Sequence, residues 1–286
     1  MCSWIRQNSG QKSGDACYSK LKNALAGSLR AAGLGQASAA GYNPWMKNLI
    51  LLFDIDGTLI RTGGAGQLAI ESVVAGKSGI GNHGIRLAGR TDRGIFGDFL
   101  DHYGVGDTDE NYEAHKQPFL ETLATCLTEC DGHVLPRVVE TLECVANQPA
   151  IGLGLITGNM RAAAKQKLVA YELDRFFFQD RPDGVGGFGD RHRDRDDVAR
   201  DALAEAREYL LPAVDPKHVW IVGDTPNDVK CARAIGAKVV AVATGSYSLE
   251  ELAATDADHV IESLDHAADW WAELADEYGI ATPTPG

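Results

Sequence analysis

The stretch Leu51-Leu52-Phe53-Asp54-Ile55-Asp56-Gly57-Thr58-Leu59-Ile60 places two aspartates, one residue apart, at the end of an apolar run. Acidic side chains are rarely buried unless they are paired or bound to a cation. The apolar run before them is short and continuous, which is typical of a strand covered on both faces. The stretch therefore predicts a central strand that ends in concentrated negative charge, and the rest of the chain must explain how that charge is compensated.

Four short apolar runs of this kind predict buried parallel strands. They are Leu49–Phe53, Ile151–Ile156, Val219–Val222 and Val239–Ala243. Helical stretches accompany them, and these are Arg161–Tyr171, Asp196–Tyr209 and Pro226–Ile235. Strands that alternate with helices form right-handed βαβ units. The sequence therefore predicts an α/β fold with a Rossmann-like, doubly wound parallel sheet.

Residues 62–132 break this alternation because they contain only helical patterns, over Gly66–Val74, Gly94–Tyr103 and Asn111–Cys130. We therefore expect residues 63–132 to form a helical cap domain inserted after the first strand. Residues 46–62 and 133–265 are then the α/β core, and residues 266–286 are a C-terminal helix and tail. The final amphipathic helix is expected over Ser263–Tyr278.

Polar residues follow three of the predicted strands. Asp54 and Asp56 end the first strand, Thr157-Gly158-Asn159 ends the second, and Asp224 and Asp228 follow the third. In doubly wound sheets the carboxyl ends of the strands share one edge, where ligands bind. Four carboxylates at one edge repel each other strongly where the dielectric constant is low. A divalent cation removes this conflict, and carboxylate oxygens suit Mg²⁺.

Three of these segments resemble the motifs of the haloacid dehalogenase superfamily. DIDGTL (54–59) has the form of its first motif, LITGN (155–159) of its second and GDTPNDV (223–229) of its fourth. The resemblance covers about residues 47–265 and is strongest to the phosphoglycolate phosphatase-like branch. It implies a Mg²⁺-dependent phosphatase, because the aspartate at the second position of the first motif is the form that phosphatases and phosphotransferases carry.

The resemblance also implies roles for individual residues. Asp54 is then the nucleophile that forms an aspartyl-phosphate, and Asp56 is the general acid and base. Thr157 then hydrogen-bonds the phosphoryl oxygens. Asp224, Asp228, Asp54 and the backbone carbonyl of Asp56 are the implied Mg²⁺ ligands. The residues Thr58, Gly158, Asn159 and Arg90 are the implied substrate contacts.

The third motif departs from the family pattern, which places a lysine near the helix before the third strand. Residues 187–197 contain no lysine. Arg195 resembles the arginine of the branch pattern FGDxxxDRxxL, and a guanidinium keeps the positive charge. We expect Arg195 to be the substitute, with Arg193 and Lys165 as alternatives. A solvated charged loop, or full loss of the cation, is the other interpretation.

Structural explanations compete with several of these roles. Asp54 and Asp56 also suit a solvated turn or a helix N-cap, Thr157 suits a helix cap, and Asp228 suits a first-turn acid that complements the helix dipole. The stretch Arg90-Thr91-Asp92 resembles the substrate-facing stretch of helical caps, although a surface salt bridge explains Arg90 as well. Gly63-Gly64-Ala65-Gly66 lacks the Lys-Ser/Thr ending of a P-loop and favours a hinge into the cap.

Composition limits the partners and the compartment. The formal net charge is −13, which argues against nucleic acid or an anionic membrane as the main partner. No run approaches the length of a membrane span. The six cysteines show no disulfide or zinc-like spacing, so we expect reduced thiols and a cytoplasmic location. The expected partner is a small phosphorylated metabolite, and the chain is expected to be a monomer or homodimer.

The first 45 residues differ in composition, with five basic residues against the single acid Asp15. They superficially resemble an organellar transit peptide. A second interpretation is a disordered or mis-annotated leader with Met46 as the start, because Met46 runs directly into the first strand. We favour the second interpretation and expect residues 1–45 to lie outside the fold.

The sequence therefore predicts hydrolysis of a small phosphate monoester, with cap closure excluding water. One alternative is a phosphomutase of the β-phosphoglucomutase type. The other is a catalytically weak phospho-receiver or binding protein that retains Asp54 without turnover.

Overall fold

A computed structural model describes residues 48–76, 81 and 83–280 of the chain. The leader predicted over residues 1–45 lies outside these described residues. Across the described part, every helix is too short or too polar to cross a membrane.

The structure is built on a six-stranded parallel sheet. Its strands are β1 (Leu49–Phe53), β4 (Ile151–Ile156), β5 (Gly186–Gly187), β6 (Val219–Gly223), β7 (Lys238–Val242) and β8 (His259–Ile261). Their order is β5-β4-β1-β6-β7-β8, and every neighbouring pair is parallel. A separate antiparallel pair consists of β2 (Ile60–Arg61) and β3 (His133–Val134). The predicted parallel α/β fold is therefore confirmed, with β1 inside the sheet.

Helices cover both faces of the sheet. They are α1 (Ala65–Ala75), α2 (Asp92–His102), α3 (Asp109–Glu129), α4 (Val138–Ala146), α5 (Arg161–Ala170), α6 (Asp174–Phe177), α7 (Arg195–Tyr209), α8 (Pro226–Ile235), α9 (Leu249–Ala253) and α10 (Ala268–Tyr278). Strand β1 contributes to both layers, since Leu51 and Phe53 pack in one hydrophobic cluster and Ile50 and Leu52 in the other. This explains why β1 is a continuous apolar run.

The C-terminal helix completes one of these layers. Trp270, Trp271 and Leu274 of α10 are buried in the same cluster as Trp220 of β6. The predicted terminal helix is present, although a short 3₁₀ turn over Leu264–His266 separates its start from Ser263. The segment 267–280 therefore contributes directly to the core, and residues 281–286 of the predicted tail lie outside the described residues.

Helices α1, α2 and α3 form the insertion between β1 and β4. Their hydrophobic cluster includes Phe96, Phe99 and Phe119, together with Met160 and Ala163 from the start of α5. Strands β2 and β3 join the two ends of the insertion. Gly63, with φ of +61°, lies so close to Asp131 that a side chain there would overlap the Asp131 backbone. The glycine therefore permits the entering and leaving segments to pass each other.

A buried carboxylate stabilises the insertion. Glu71 of α1 is fully buried. Its Oε2 accepts a hydrogen bond from the Gly81 N–H at 2.5 Å, and its Oε1 accepts one from Gln67 Nε2 at 3.0 Å. His83 Nδ1 accepts from the Ile85 N–H, so Nε2 carries the proton and donates to Glu71 Oε1 at 3.0 Å. Burial raises the pKa of Glu71, but the bonds from Gly81 and Gln67 outweigh this and hold the pKa below its ordinary value.

Replacing Glu71 with Ala is expected to lower the free energy of unfolding by about 1–3 kcal/mol, because buried donors lose their acceptor. A carboxyl group whose pKa is lower in the folded state stabilises the fold at pH values above its unfolded-state pKa. This stabilisation is lost as the pH falls through the folded-state pKa. The difference in the free energy of unfolding between wild type and Glu71→Ala should therefore become smaller as the pH is lowered from 7 to 4. Urea denaturation at several pH values measures this. The exposed Glu121→Ala is the control, and an equal loss in both variants would contradict the assignment.

Candidate active site

Three buried acids meet at the carboxyl ends of β1 and β6. Asp54 follows β1, Asp224 follows β6, and Asp228 lies in the first turn of α8. One carboxylate oxygen from each lies within 4.8 Å of the others. All three residues are almost fully buried, with exposures of 4%, 3% and 0%. The predicted convergence of the strand ends therefore occurs in the structure, and it concentrates negative charge in the interior.

Local backbone features fix this arrangement. Gly57 has φ of +86°, and a side chain at this position would overlap the carboxylate of Asp224. Thr58 is buried, with its Oγ1 3.5 Å from Asp224 Oδ1. Asp228 forms a capping box with Thr225, because its Oδ2 accepts from the Thr225 N–H at 3.0 Å and from Thr225 Oγ1 at 2.7 Å. The turn after β1 and the start of α8 thus hold the acids in place.

Arg195 supplies a buried cation to this cluster. It is the first residue of α7, and its side chain is 5% exposed. Its Nη2 lies 3.1 Å from Asp54 Oδ1 and 2.5 Å from Asp228 Oδ1. Burial lowers the pKa of Arg195, but Asp228 and Asp54 outweigh it and raise the pKa well above the ordinary value. The guanidinium is therefore a permanent positive charge beside Asp54.

The two alternative cations lie elsewhere. Arg193 pairs with Asp107, and Lys165 donates to the Pro182 carbonyl at 2.8 Å. Of the three cations considered for the missing motif lysine, Arg195 is the one that the structure places against the acids.

One arginine does not balance three buried acids. Burial raises the pKa of Asp54, and Asp228 and Asp56 add to the rise although Arg195 opposes it. Burial also raises the pKa of Asp224, with further rises from Asp54 and Asp228. Both shifts express the cost of placing like charges together where water is excluded. Buried carboxylates whose oxygens lie this close together fit a hard divalent cation such as Mg²⁺, which prefers oxygen ligands.

The side chain of Asp56 diverges from this group and belongs to a second network. Its Oδ2 accepts hydrogen bonds from Lys167 Nζ and from Asn159 Nδ2, both at 2.6 Å. Asn159 Nδ2 also donates to Oγ1 of the fully buried Thr157 at 2.8 Å. The predicted substrate contact Asn159 therefore binds Asp56 and Thr157 in this structure. Gly158 lies between Thr157 and Asn159 in the chain. It packs against the backbone carbonyl of Arg90, where a side chain would not fit.

Lys167 is a site residue that the sequence reasoning did not identify. It is 5% exposed and lies on the face of α5 that also buries Ala163, Ala164 and Leu168. The available signal was its spacing of three and four residues from these alanines, which places a lysine on a buried face. Lysines are almost never fully buried without a partner, and here the partners are Asp56 and Asn159.

A cavity of about 550 Å³ lies over these residues. Its floor includes Asp54, Asp56, Thr157, Lys167 and Arg195, among other residues. The inserted helices contribute further lining residues, which include Gly66, Gln67, Ile70, Ile95 and Phe119. The strand ends therefore contribute polar side chains to the lining of the cavity, and the inserted helices contribute partly apolar ones.

Arg90 also lines this cavity, but it has protein partners. Its Nη1 donates to Asp98 Oδ2 at 2.6 Å and to the Arg86 carbonyl at 3.0 Å. The structure therefore shows the salt bridge that competes with a substrate role for Arg90.

The segment after Arg90 joins the insertion to the core. Asp92 N–H donates to the Gly158 carbonyl at 2.6 Å, and Asp92 Oδ2 accepts from the Met160 N–H at 2.7 Å. Burial raises the pKa of Asp92 to about 6, although nearby Lys167 opposes the rise. These contacts hold the start of α2 against the loop that carries Thr157.

Comparisons with known proteins agree with this architecture. The family model described as HAD-hydrolase-like matches residues 197–267. Phosphoglycolate phosphatase 1 of Pseudomonas aeruginosa is 28% identical over 228 residues, which are 75% of this chain and 76% of that protein.

Two solved structures share the fold. A haloacid dehalogenase-like family hydrolase from Streptococcus pneumoniae is 20% identical, with a TM-score of 0.53 over 79% of this chain and 98% of that one. A chain from Clostridium acetobutylicum, described as a predicted phosphatase, is 18% identical, with a TM-score of 0.57 over 80% of this chain and 100% of that one. Together with the three motifs at the strand ends, the family-model match and the P. aeruginosa relative support a hydrolase of the haloacid dehalogenase superfamily, and the two solved structures show the shared fold.

Proposed function

We propose that the protein is a Mg²⁺-dependent phosphatase that hydrolyses a small phosphate monoester through an aspartyl-phosphate on Asp54. The observation that carries this proposal is the position of Asp54 on the cavity floor, with Arg195 and Asp224 beside it. The name of the P. aeruginosa relative supports a phosphatase of the phosphoglycolate phosphatase type.

In the first step, Asp54 attacks phosphorus while the bond from phosphorus to the leaving oxygen breaks. Asp56 gives a proton to that leaving oxygen. In the second step, water attacks phosphorus, its proton goes to Asp56, and the electron pair of the breaking bond returns to Asp54. Arg195 and the hydroxyl of Thr157 stabilise the phosphoryl oxygens in both steps. Bound Mg²⁺ supplies positive charge that favours attack by one anion on another.

We propose different roles for the three buried acids. Asp54, Asp224 and the backbone carbonyl of Asp56 would hold the cation. Asp228 already has both oxygens in use, because Oδ2 accepts from Thr225 and Oδ1 contacts Arg195. The sequence predicted Asp228 as a further Mg²⁺ ligand, and on these contacts we propose instead that Asp228 mainly holds Arg195 and the loop after β6.

The insertion over residues 63–132 is proposed to act as the cap. It supplies the apolar side of the cavity and would exclude water from the reacting phosphoryl group. The cavity volume of about 550 Å³ suits a small metabolite and not a folded macromolecule.

Removing divalent metal is expected to abolish turnover, and Mg²⁺ should restore it. Free Mg²⁺ at about 100 times its Kd should also stabilise the fold by about 2.7 kcal/mol. Because the raised pKa values of Asp54 and Asp224 mean that protons compete with the metal, Mg²⁺ should bind more weakly as the pH falls. Calorimetric titration at pH 6 and pH 8 measures this. Equal affinity at both pH values, or full activity in EDTA, would contradict the metal assignment.

The function itself is tested by a screen of phosphorylated metabolites with Mg²⁺, in which released phosphate is measured. Sugar monophosphates are also analysed for isomers, since an isomer without free phosphate would indicate a phosphomutase. No product from any ester, with wild type and Asp54→Asn indistinguishable, would leave only a binding or phospho-receiver role.

A further inference from the structure

We propose that Lys167 is a positioning residue for proton transfer. It fixes Oδ2 of Asp56, so that Oδ1 is the oxygen that exchanges the proton with the leaving group and with water. This inference rests on the proposed function.

The first observation is a closed ring of three side chains. Lys167 Nζ donates to Asp56 Oδ2 and to Asn159 Oδ1, each at 2.6 Å. Asn159 Nδ2 donates to the same Asp56 Oδ2 at 2.6 Å. Each member therefore orients the other two. Asn159 is held at its other side by Thr157, so the ring is tied to the loop after β4.

The second observation is that both donors reach one oxygen of the carboxyl group. No donor from the part of the chain that the structure describes reaches Asp56 Oδ1. The side chain of Asp56 is 40% exposed and lines the cavity, whereas that of Lys167 is 6% exposed. An oxygen that accepts two short hydrogen bonds, one from an ammonium group, is a poor site for a proton. Oδ1 is therefore the oxygen of Asp56 that both of these donors leave free, on a side chain that lines the cavity.

This assignment gives a balanced sequence of proton transfers. In the first step, the proton on Oδ1 moves to the leaving oxygen as its bond to phosphorus breaks, and Asp56 becomes a carboxylate beside the Lys167 ammonium. In the second step, Oδ1 takes the proton from the attacking water, and the acid form is restored. Lys167 keeps its own protons throughout. Its role is to orient Asp56 and to stabilise the charge that appears in the first step.

Two other roles for Lys167 predict different behaviour. If Lys167 only supported the fold, its loss would slow all substrates equally. If it bound the phosphoryl group, its loss would also be independent of the leaving group, because that group is common to all phosphate esters. Only a role in proton transfer depends on the leaving group, since a phenolate such as 4-nitrophenolate departs without a proton and an alkoxide does not.

The test compares kcat/KM of Lys167→Met and wild type on 4-nitrophenyl phosphate and on alkyl phosphate monoesters. The parameter kcat/KM reports the steps up to cleavage of the ester. We expect a loss of about 10²–10³-fold on the alkyl esters and of less than about 10-fold on the nitrophenyl ester. Lys165→Met is the matched control on the same helix, because Lys165 donates only to the Pro182 carbonyl in the described structure, and it should behave as wild type. Equal losses on both ester types would overturn the proposal.

Further variants separate failure of this inference from failure of the proposed function. Asp56→Asn should show the same dependence on the leaving group, and if it does not, the acid assignment itself is wrong. If Asp56→Asn shows the dependence and Lys167→Met does not, only the role of Lys167 is wrong. Should Lys167→Met fail to fold, as judged by circular dichroism, Lys167→Gln takes its place. That variant keeps a polar side chain but removes the ammonium charge beside Asp56 Oδ2, and its loss should again be confined to the alkyl esters.

Discussion

Replacing Asp54 with Asn is expected to reduce kcat for phosphate-ester hydrolysis by about 10⁴-fold or more, because a carboxamide is not a competent nucleophile. The substitution preserves the shape of a side chain that is only 6% exposed. Burial and the neighbouring acids raise the pKa of Asp54, so its charge is unfavourable without a cation. The metal-free variant should therefore be at least as stable as wild type.

Steady-state kinetics and thermal denaturation of the same samples measure both effects. Asp180→Asn is the control, because it makes the same chemical change at an exposed position. Loss of activity together with a large loss of stability would show that Asp54 is mainly structural. Unchanged activity would remove the nucleophile assignment altogether.

Replacing Arg195 with Ala is expected to reduce kcat/KM by about 10²–10³-fold, because a preorganised cation beside the transferring phosphoryl group is lost. Without Mg²⁺ the variant should also be less stable by about 3–5 kcal/mol, since Asp54 and Asp228 then lose the charge that Arg195 supplies at 3.1 and 2.5 Å. Arg195→Lys should recover part of the activity, as it keeps the charge but not the planar geometry.

Arg193→Ala is the matched control for this prediction. Arg193 precedes Arg195 by two residues, its side chain is 50% exposed, and it pairs with Asp107. Its loss should change kcat/KM less than tenfold, as a surface ion pair contributes about 0–1 kcal/mol. The reverse pattern, with Arg193→Ala severe and Arg195→Ala mild, would place the functional cation elsewhere.

The fold could be predicted from the sequence to the extent that its strands are long and buried. Four strands of the sheet appear as apolar runs because both of their faces are covered. The strands Gly186–Gly187 and His259–Ile261 contain only two and three residues, so they leave no hydrophobic pattern to detect. Most predicted helix limits lie within one or two residues of the observed ones, as for α5, which ends at Ala170 and not at Tyr171, but α10 begins at Ala268 and not at the predicted Ser263.

The floor of the site could be predicted because parallel strands bring their carboxyl ends to one edge. That rule was enough to place Asp54, Asp224 and Thr157 near one another. It could not place Lys167, which lies in the middle of a helix and reaches Asp56 only through tertiary packing. It also could not show that Arg90 is paired with Asp98, or that the amide of Asn159 is directed to Asp56. Such pairings depend on side-chain geometry that no spacing rule contains.

The central claim is that the carboxylate of Asp54 carries the phosphoryl group during turnover. The direct measurement is an acid quench during the reaction, reduction of the acyl phosphate with borohydride, and mass spectrometry of the peptide that contains residue 54. The account predicts homoserine at position 54 in samples with Mg²⁺ and substrate, and unmodified residue 54 in samples without metal and in Asp54→Asn. Modification of another residue, or turnover without any modification at position 54, would contradict it.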